Sequence, residues 1–245
     1  MTQSDKKFAL VTGCSRGLGI ELAERLIELG YVVIGVSLTK KSWPAAKKRI
    51  SAENFYLLEA DVSREDKVKK LFTAVKKITP RIDLLVNSAA YGGRLQPIET
   101  ESLKEFETHL RVNLISVFLM CRAALPLLKL GSKPVVMNIS SMAGVRAVPR
   151  LAGYSASKFG VLAITEALAK ENPDWLKAVT VCPGGMNTKM RSDLFGLEDA
   201  ARQQTPAFVA DIMIQVLLDR IALQSGSHIV VRHSKVTQII TPPTS

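Results

Sequence analysis

The chain has 245 residues, 47% hydrophobic and 22% charged, with 33 Lys and Arg against 22 Asp and Glu for a net charge of +11. Those fractions sit near globular averages and exclude a disordered chain, while 15 Gly and 11 Pro exclude collagen-like and low-complexity readings. The length suits one α/β domain over 1–245 with a full-sized core.

The N-terminal segment 1–7 runs through a short apolar stretch straight into Thr12-Gly13, without the long apolar region and small-residue cleavage site of a signal peptide. Val/Ile/Leu-rich runs at 8–12, 31–37, 54–59, 82–87, 134–140, 178–182 and 228–233 read as strands. Most are continuous rather than alternating, as in a parallel sheet covered on both faces. Between them, helical patterns lie near 17–29, 64–78, 103–130, 153–171 and 206–223. Ser63 with Asp66, Ser102 with Glu105, and Thr205 followed by Pro206 read as helix caps. The apolar stretch 114–130 contains Arg122 and Lys129, too short and too charged to span a bilayer. This alternation predicts a doubly wound, mostly parallel sheet with helices on both faces, a Rossmann-type α/β fold. The longest irregular stretch, 183–205, follows a strand's carboxyl end, where such folds bind ligands.

Cys14, Cys121 and Cys182 are far apart with no CxxC, which points away from a disulfide framework or thiolate metal site and towards a reducing cytoplasm. His109, expected on a helix surface, and His228 and His233, bracketing the last strand, form no ligand set, so no metal is implied. The basic clusters at Lys40-Lys41, Lys47-Lys48-Arg49, Lys67-Lys69-Lys70 and Lys76-Lys77 lack interleaved aromatics apart from Trp43. They read as solvated faces, and no nucleic-acid partner is expected.

The first predicted strand runs directly into Thr12-Gly13-Cys14-Ser15-Arg16-Gly17-Leu18-Gly19, and a helix follows. Glycines at 13, 17 and 19 permit a tight turn and close backbone approach, so that the helix's free amides can face a pyrophosphate. The spacing is GxxxGxG rather than GxGxxG. About twenty residues on, where an acid would take the ribose of NAD(H), the chain reads Ser37-Leu38-Thr39-Lys40-Lys41. Ser37, Lys40, Lys41 and Arg16 can accommodate a 2′-phosphate, which favours NADP(H) over NAD(H).

Tyr154 and Lys158 are four apart at the start of a predicted helix and share one face. Chance yields such a pair ~0.3 times per chain of this composition, so the pair alone is weak. Adding Ser141, just after a predicted strand, lowers that to ~0.02. A free tyrosine ionises near pH ~10, and a fixed ammonium such as Lys158 lowers that value. Tyr154 can then exchange a proton with a ketone or alcohol oxygen that Ser141 polarises.

These residues resemble the short-chain dehydrogenase/reductase family in its shorter, single-domain branch. The matching motifs are Thr12 to Gly19, Asp61-Val62, Asn87-Ser88-Ala89-Ala90, Asn113, Ser140-Ser141, Tyr154-Ser155-Ala156-Ser157-Lys158, Pro183-Gly184 and Thr188, in the family's order from residue 8 to about 190. The resemblance implies that Ser141, Tyr154 and Lys158 are catalytic and that the Asn113 side chain holds a water relaying protons to the lysine. It also implies that Lys158 holds the nicotinamide ribose, and that Asp61 and Val62 lie by the adenine. Asn87 to Ala90, Ala89 among them, would line the cofactor's middle, with Pro183, Gly184 and Thr188 by the nicotinamide. Ala90 replaces the family's glycine, Leu38 stands where NADP-preferring members often have arginine, and Cys14 reads as a small packed residue.

The expected activity is hydride transfer between NADP(H) and a small carbonyl or alcohol, as in a carbonyl reductase, alcohol dehydrogenase or 3-oxoacyl reductase. The alternative is a catalytically silent NADP(H)-binding regulator or scaffold, which has no need of Ser141, Tyr154, Lys158 or Asn113. Substrate walls are expected from 91–97, 142–151 and 185–205. There Arg94, Arg146, Arg150, Lys189 and Arg191 read first as rim charges and second as an attraction for an acidic partner such as an acyl carrier protein or coenzyme-A thioester. The resemblance also implies a homodimer or homotetramer through 103–130 and 153–171.

Overall fold

The computed structural model describes residues 6–50 and 53–243; residues 1–5, part of the segment read above for a signal peptide, lie outside them. Eight strands form one sheet: β1 (Lys7–Thr12), β2 (Tyr31–Ser37), β3 (Phe55–Glu59), β4 (Leu84–Asn87), β5 (Val135–Ile139), β6 (Lys177–Pro183), β7 (His228–Arg232) and β8 (Lys235–Ile240). Their order is β3-β2-β1-β4-β5-β6-β7-β8, parallel throughout except for the antiparallel β7–β8 hairpin at one edge. β2 is buried at every position, as a continuous apolar run between two parallel neighbours requires.

The helices are α1 (Gly17–Glu28), α2 (Trp43–Arg49), α3 (Glu65–Ile78), α4 (Leu103–Leu110), α5 (Ser116–Leu128), α6 (Ala152–Glu171), α7 (Lys189–Phe195), α8 (Leu197–Ala201) and α9 (Pro206–Leu217). One face of the sheet is covered by α1 and α9, through Leu22, Leu26, Val209 and Met213 among others. The other is covered by α3, α5 and α6, through Leu71, Met120, Ala124 and Val161. Wrapping both faces buries the apolar side chains of every central strand.

Ser102 caps α4 by accepting from the Glu105 amide, and Thr205 caps α9 by accepting from the Phe208 amide. Ser63 caps nothing: α3 begins at Glu65 behind Arg64, and the Ser63 hydroxyl turns back to donate to Asp61 Oδ1 at 2.6 Å. The stretch 183–205, expected to be irregular, contains α7 and α8, and the predicted helix 206–223 stops at Leu217. β8, not the run before it, is the last strand; its mostly exposed residues lack the apolar continuity that marks the others. α2, whose buried side is Ala46 alone, was hidden in a basic cluster.

The helical run Leu103–Leu128 is long and apolar enough by composition to cross a membrane. Here Val117, Met120, Ala124 and Leu128 bury its inner side in the core. A π-helical turn, Arg111–Ile115, separates α4 from α5. After β1 the chain passes to one face of the sheet and after β4 to the other, which opens a crevice at their carboxyl ends.

Candidate active site

Thr12, at the end of β1, holds the crevice together. Its Oγ1 accepts from the Ser88 and Ala89 amides at 3.0 and 3.1 Å, tying the glycine loop to the segment after β4. Gly13 has φ +67°, and a Cβ there would stand 3.0 Å from the Ala89 backbone. A Cβ on Gly19 would stand 2.4 Å from the Gly13 carbonyl oxygen. Both positions therefore exclude side chains, and the bare backbone that results leads into the N-terminus of α1. Cys14 lies beneath this loop, fully buried among core residues, its thiol pushed up to about 12 by burial. Leu18 is likewise a core residue, while Ser15 and Arg16 stand in the turn ahead of α1. Thr188, the N-cap of α7, faces Gly17 across the crevice, its Cγ2 3.7 Å from where a Gly17 Cβ would be.

At the outer end, Ser37 closes β2 with its hydroxyl engaged: it accepts from Trp43 Nε1 at 2.7 Å and donates to the Thr39 carbonyl at 3.0 Å. Lys40 projects beside it, its ammonium 5.4 Å from the Trp43 ring centre. An acid absent from the linear stretch arrives from the neighbouring strand, since Glu59 Oε1 accepts from the Lys40 amide at 3.2 Å. Asp61 holds the Ser63 turn, Val62 is a core side chain, and Asn87 donates to Asn138 Oδ1 at 2.8 Å between β4 and β5.

At the inner end Ser141, Tyr154 and Lys158 come together. Ser141 follows β5 and accepts from the Ala143 amide at 3.1 Å. Its influence pulls the Tyr154 phenol down, against the larger upward push of burial. Lys158 is buried, donates from Nζ to the Ile139 carbonyl at 2.8 Å, and lies 5.8 Å from the Tyr154 ring centre. Burial pushes its ammonium from 10.5 down to about 8. The Ser140 hydroxyl donates to the Lys158 carbonyl at 2.8 Å, fastening α6 to β5. Cys182, on β6 beside Lys158, has its thiol pushed up to about 12 by burial.

Asn113 sits in the π-helical turn, fully buried. Its side chain accepts from the Tyr91 amide at 2.7 Å and donates to the Tyr91 carbonyl at 3.0 Å and to Ser157 Oγ at 3.1 Å. Ser157 in turn donates to the Tyr154 carbonyl at 2.7 Å. Both Asn113 donors are thus committed to holding the segment after β4 against α6. A π-turn is a common device for aiming one side chain at a functional site.

His109 is not on the surface but buried, stacked edge-on to Tyr154 at 6.0 Å and tilted against Tyr91 at 5.2 Å. Burial lowers its pKa. Its periodicity was legible, but α4 turns that side towards α6 rather than to water. Thr12, Ser140 and Ser157 were read only as motif members; their anchoring bonds join residues distant in sequence, and spacing alone does not reveal them.

The match to the family model for short chain dehydrogenase extends over residues 7–198, more than half of the chain. The chain belongs to the short-chain dehydrogenase/reductase family. Among curated relatives it is 29% identical over 228 residues to the NADPH-dependent pterin aldehyde reductase of Arabidopsis thaliana, covering 92% of this chain and 93% of that one. It is 35% identical over 184 residues to the 3-ketodihydrosphingosine reductase of Bacteroides thetaiotaomicron, covering 74% of this chain but 65% of that protein. Against a short-chain type dehydrogenase/reductase of Sinorhizobium fredii the chain spans 34% of the relative's length. Among solved structures, a 3-ketoacyl-(acyl-carrier-protein) reductase from Brucella melitensis, complexed with NADH, superposes with a TM-score of 0.84 at 27% identity, covering 92% of this chain and 96% of that one.

Proposed function

We propose that this chain catalyses hydride transfer between NADP(H) and a small carbonyl or alcohol, with Tyr154 as the general acid and base. The observation that supports this most is a buried ammonium, fixed on the Ile139 carbonyl at 2.8 Å, standing 5.8 Å from the Tyr154 ring whose phenol Ser141 influences. The glycine cradle, which has no room for a Cβ at Gly13 or Gly19, fits a dinucleotide backbone. A bound nicotinamide supplies the hydride donor or acceptor and, when oxidised, a second positive charge near the phenol. In reduction Tyr154 Oη gives its proton to the carbonyl oxygen as that oxygen becomes an alcohol, and in oxidation it takes the proton back. Ser141 donates to the same oxygen, and Lys158 stabilises the phenolate left behind. Asn113 acts by position, holding Tyr91 and the Tyr154 turn of α6. Asp61 and Val62 would hold the adenine, Asn87 and Ala89 the middle of the cofactor, and Pro183, Gly184 and Thr188 the nicotinamide.

The preference for NADP(H) rests on Arg16, Lys40 and Lys41 at the outer end, with no acid on β2 itself. The Arabidopsis relative is NADPH-dependent by name, while the Brucella reductase was solved with NADH. Arg16→Ala is expected to lower kcat/KM for NADPH by about tenfold, the scale of one charge-assisted hydrogen bond, with little effect on NADH. Initial rates with each nucleotide check this, and a clear preference of the wild-type protein for NADH would overturn it. Gly19→Ala is expected to weaken nucleotide binding at least tenfold in a fluorescence titration, because the added methyl meets the Gly13 carbonyl at 2.4 Å.

The same reading has the protein act in the cytoplasm as a homodimer or homotetramer. Ile115 and Phe118 on the α4–α5 run and Phe159 on α6 leave 42–47% of their surface exposed, an apolar face for a second copy. Light scattering at micromolar concentration is expected to give at least twice the chain mass of 26.8 kDa.

A further inference from the structure

A cavity of about 560 Å³ is walled by Met142, which follows Ser141 in the chain, and by Gly184, the α7–α8 segment and the β7–β8 turn. Four arginines (Arg146, Arg191, Arg202 and Arg232) and His233 line it, and no Asp or Glu does. The four guanidinium groups differ in what neutralises them. Arg191 makes a two-pronged pair with Asp199 and lies against the Phe195 ring, and Arg202 pairs with Glu198. Arg146 and Arg232 have no carboxylate partner among the described residues. Two uncompensated cations therefore face one concave space, which raises the local positive potential.

Arg232 is held there by the fold. Its Cγ crosses the Gly184 backbone so closely that a Cβ on Gly184 would stand 2.9 Å away. The turn that follows is clamped by buried Gln204, which donates to the Val231 carbonyl at 2.9 Å and accepts from the Ser234 amide at 3.2 Å. His233 and Ser234 take the left-handed conformation of a tight hairpin turn, with φ +51° and +53°. A strand end, a glycine and a buried amide thus hold Arg232 in the wall of the cavity.

We propose that this cavity binds an anionic group of the substrate, a carboxylate or a phosphate, through Arg146 and Arg232. The fork of a guanidinium matches either anion with two parallel hydrogen bonds. The proposal rests on the oxidoreductase reading above and names the class of molecule that site takes: a ketone or alcohol with a negative charge a few atoms from the reacting carbon.

The test compares ketones with and without the anionic group. With NADPH, 4-oxopentanoate is set against its methyl ester, and hydroxyacetone phosphate against hydroxyacetone. The expected result is a charged-to-neutral kcat/KM ratio of about ten or more for one pair, which names the anion. That ratio falls towards one in Arg146→Gln/Arg232→Gln and in wild-type protein at high salt. Equal use of both members of each pair, or a ratio untouched by the double substitution, overturns the proposal. If no ketone is reduced, the oxidoreductase reading fails separately, and calorimetry with 4-oxopentanoate and with inorganic phosphate in the presence of NADP+ still decides. Binding of either anion that is lost in the double variant supports the subsite, and absence of binding by both overturns it.

Discussion

Tyr154→Phe is expected to lower kcat by about 10²–10⁴-fold while leaving the fold and nucleotide binding intact. The Tyr154 phenol is influenced by Ser141, and its ring lies 5.8 Å from the Lys158 ammonium. Removal of the hydroxyl takes away the proton donor without opening a cavity, since the ring keeps its edge-on contact with His109. Nucleotide titration should therefore match wild type, and the loss should lie in kcat rather than in cofactor affinity. A folded Tyr154→Phe protein that keeps most of its turnover would remove Tyr154 from the chemistry.

Lys158→Met should move activity and stability in opposite directions. Met keeps much of the aliphatic stem but removes the charge that favours the phenolate, so turnover near neutral pH should fall at least 100-fold and the activity maximum should move to higher pH. Stability of the free protein should rise. In the folded chain the Lys158 ammonium titrates at about 8, whereas in the unfolded chain it titrates near 10.5. Between those values the unfolded state binds more protons, so wild-type stability increases as pH rises from 8 to 10.5. Below 8 the burial penalty is fully present, about 3 kcal/mol from that difference. Met also gives up the hydrogen bond to the Ile139 carbonyl, worth about 1 kcal/mol. Lys158→Met is therefore expected to be more stable than wild type by about 1–2 kcal/mol at pH 7, with the gap closing towards pH 10.5. Urea melts at the two pH values check this. A variant less stable than wild type at pH 7 would show that the ammonium is not held at a cost.

Much of the fold was legible because its signals are local. Continuous apolar runs mark the central strands, Ser102 and Thr205 cap helices within reach of their own partners, and the glycine loop follows its strand directly. The spacing of Ser141, Tyr154 and Lys158 foretold one site because a strand end and one helical turn fix their relative places. What stayed hidden depends on contacts distant in sequence. Glu59 reaches Lys40 from the adjacent strand, His109 is buried because α4 packs on α6, and Arg232 comes to the cavity from a hairpin whose last strand lacks a buried face. Ser63 misled because an Asp two residues earlier competes for its hydroxyl.

Ultraviolet difference titration of tyrosine ionisation, in wild-type protein and Tyr154→Phe with and without NADP+, addresses the chemistry most directly. In the free protein Tyr154 should ionise above its ordinary value of 10, because burial outweighs the influence of Ser141. With NADP+ bound, one phenol absent from Tyr154→Phe should ionise close to neutrality. A Tyr154 that still titrates above 10 in the nucleotide complex would contradict its role as the proton carrier.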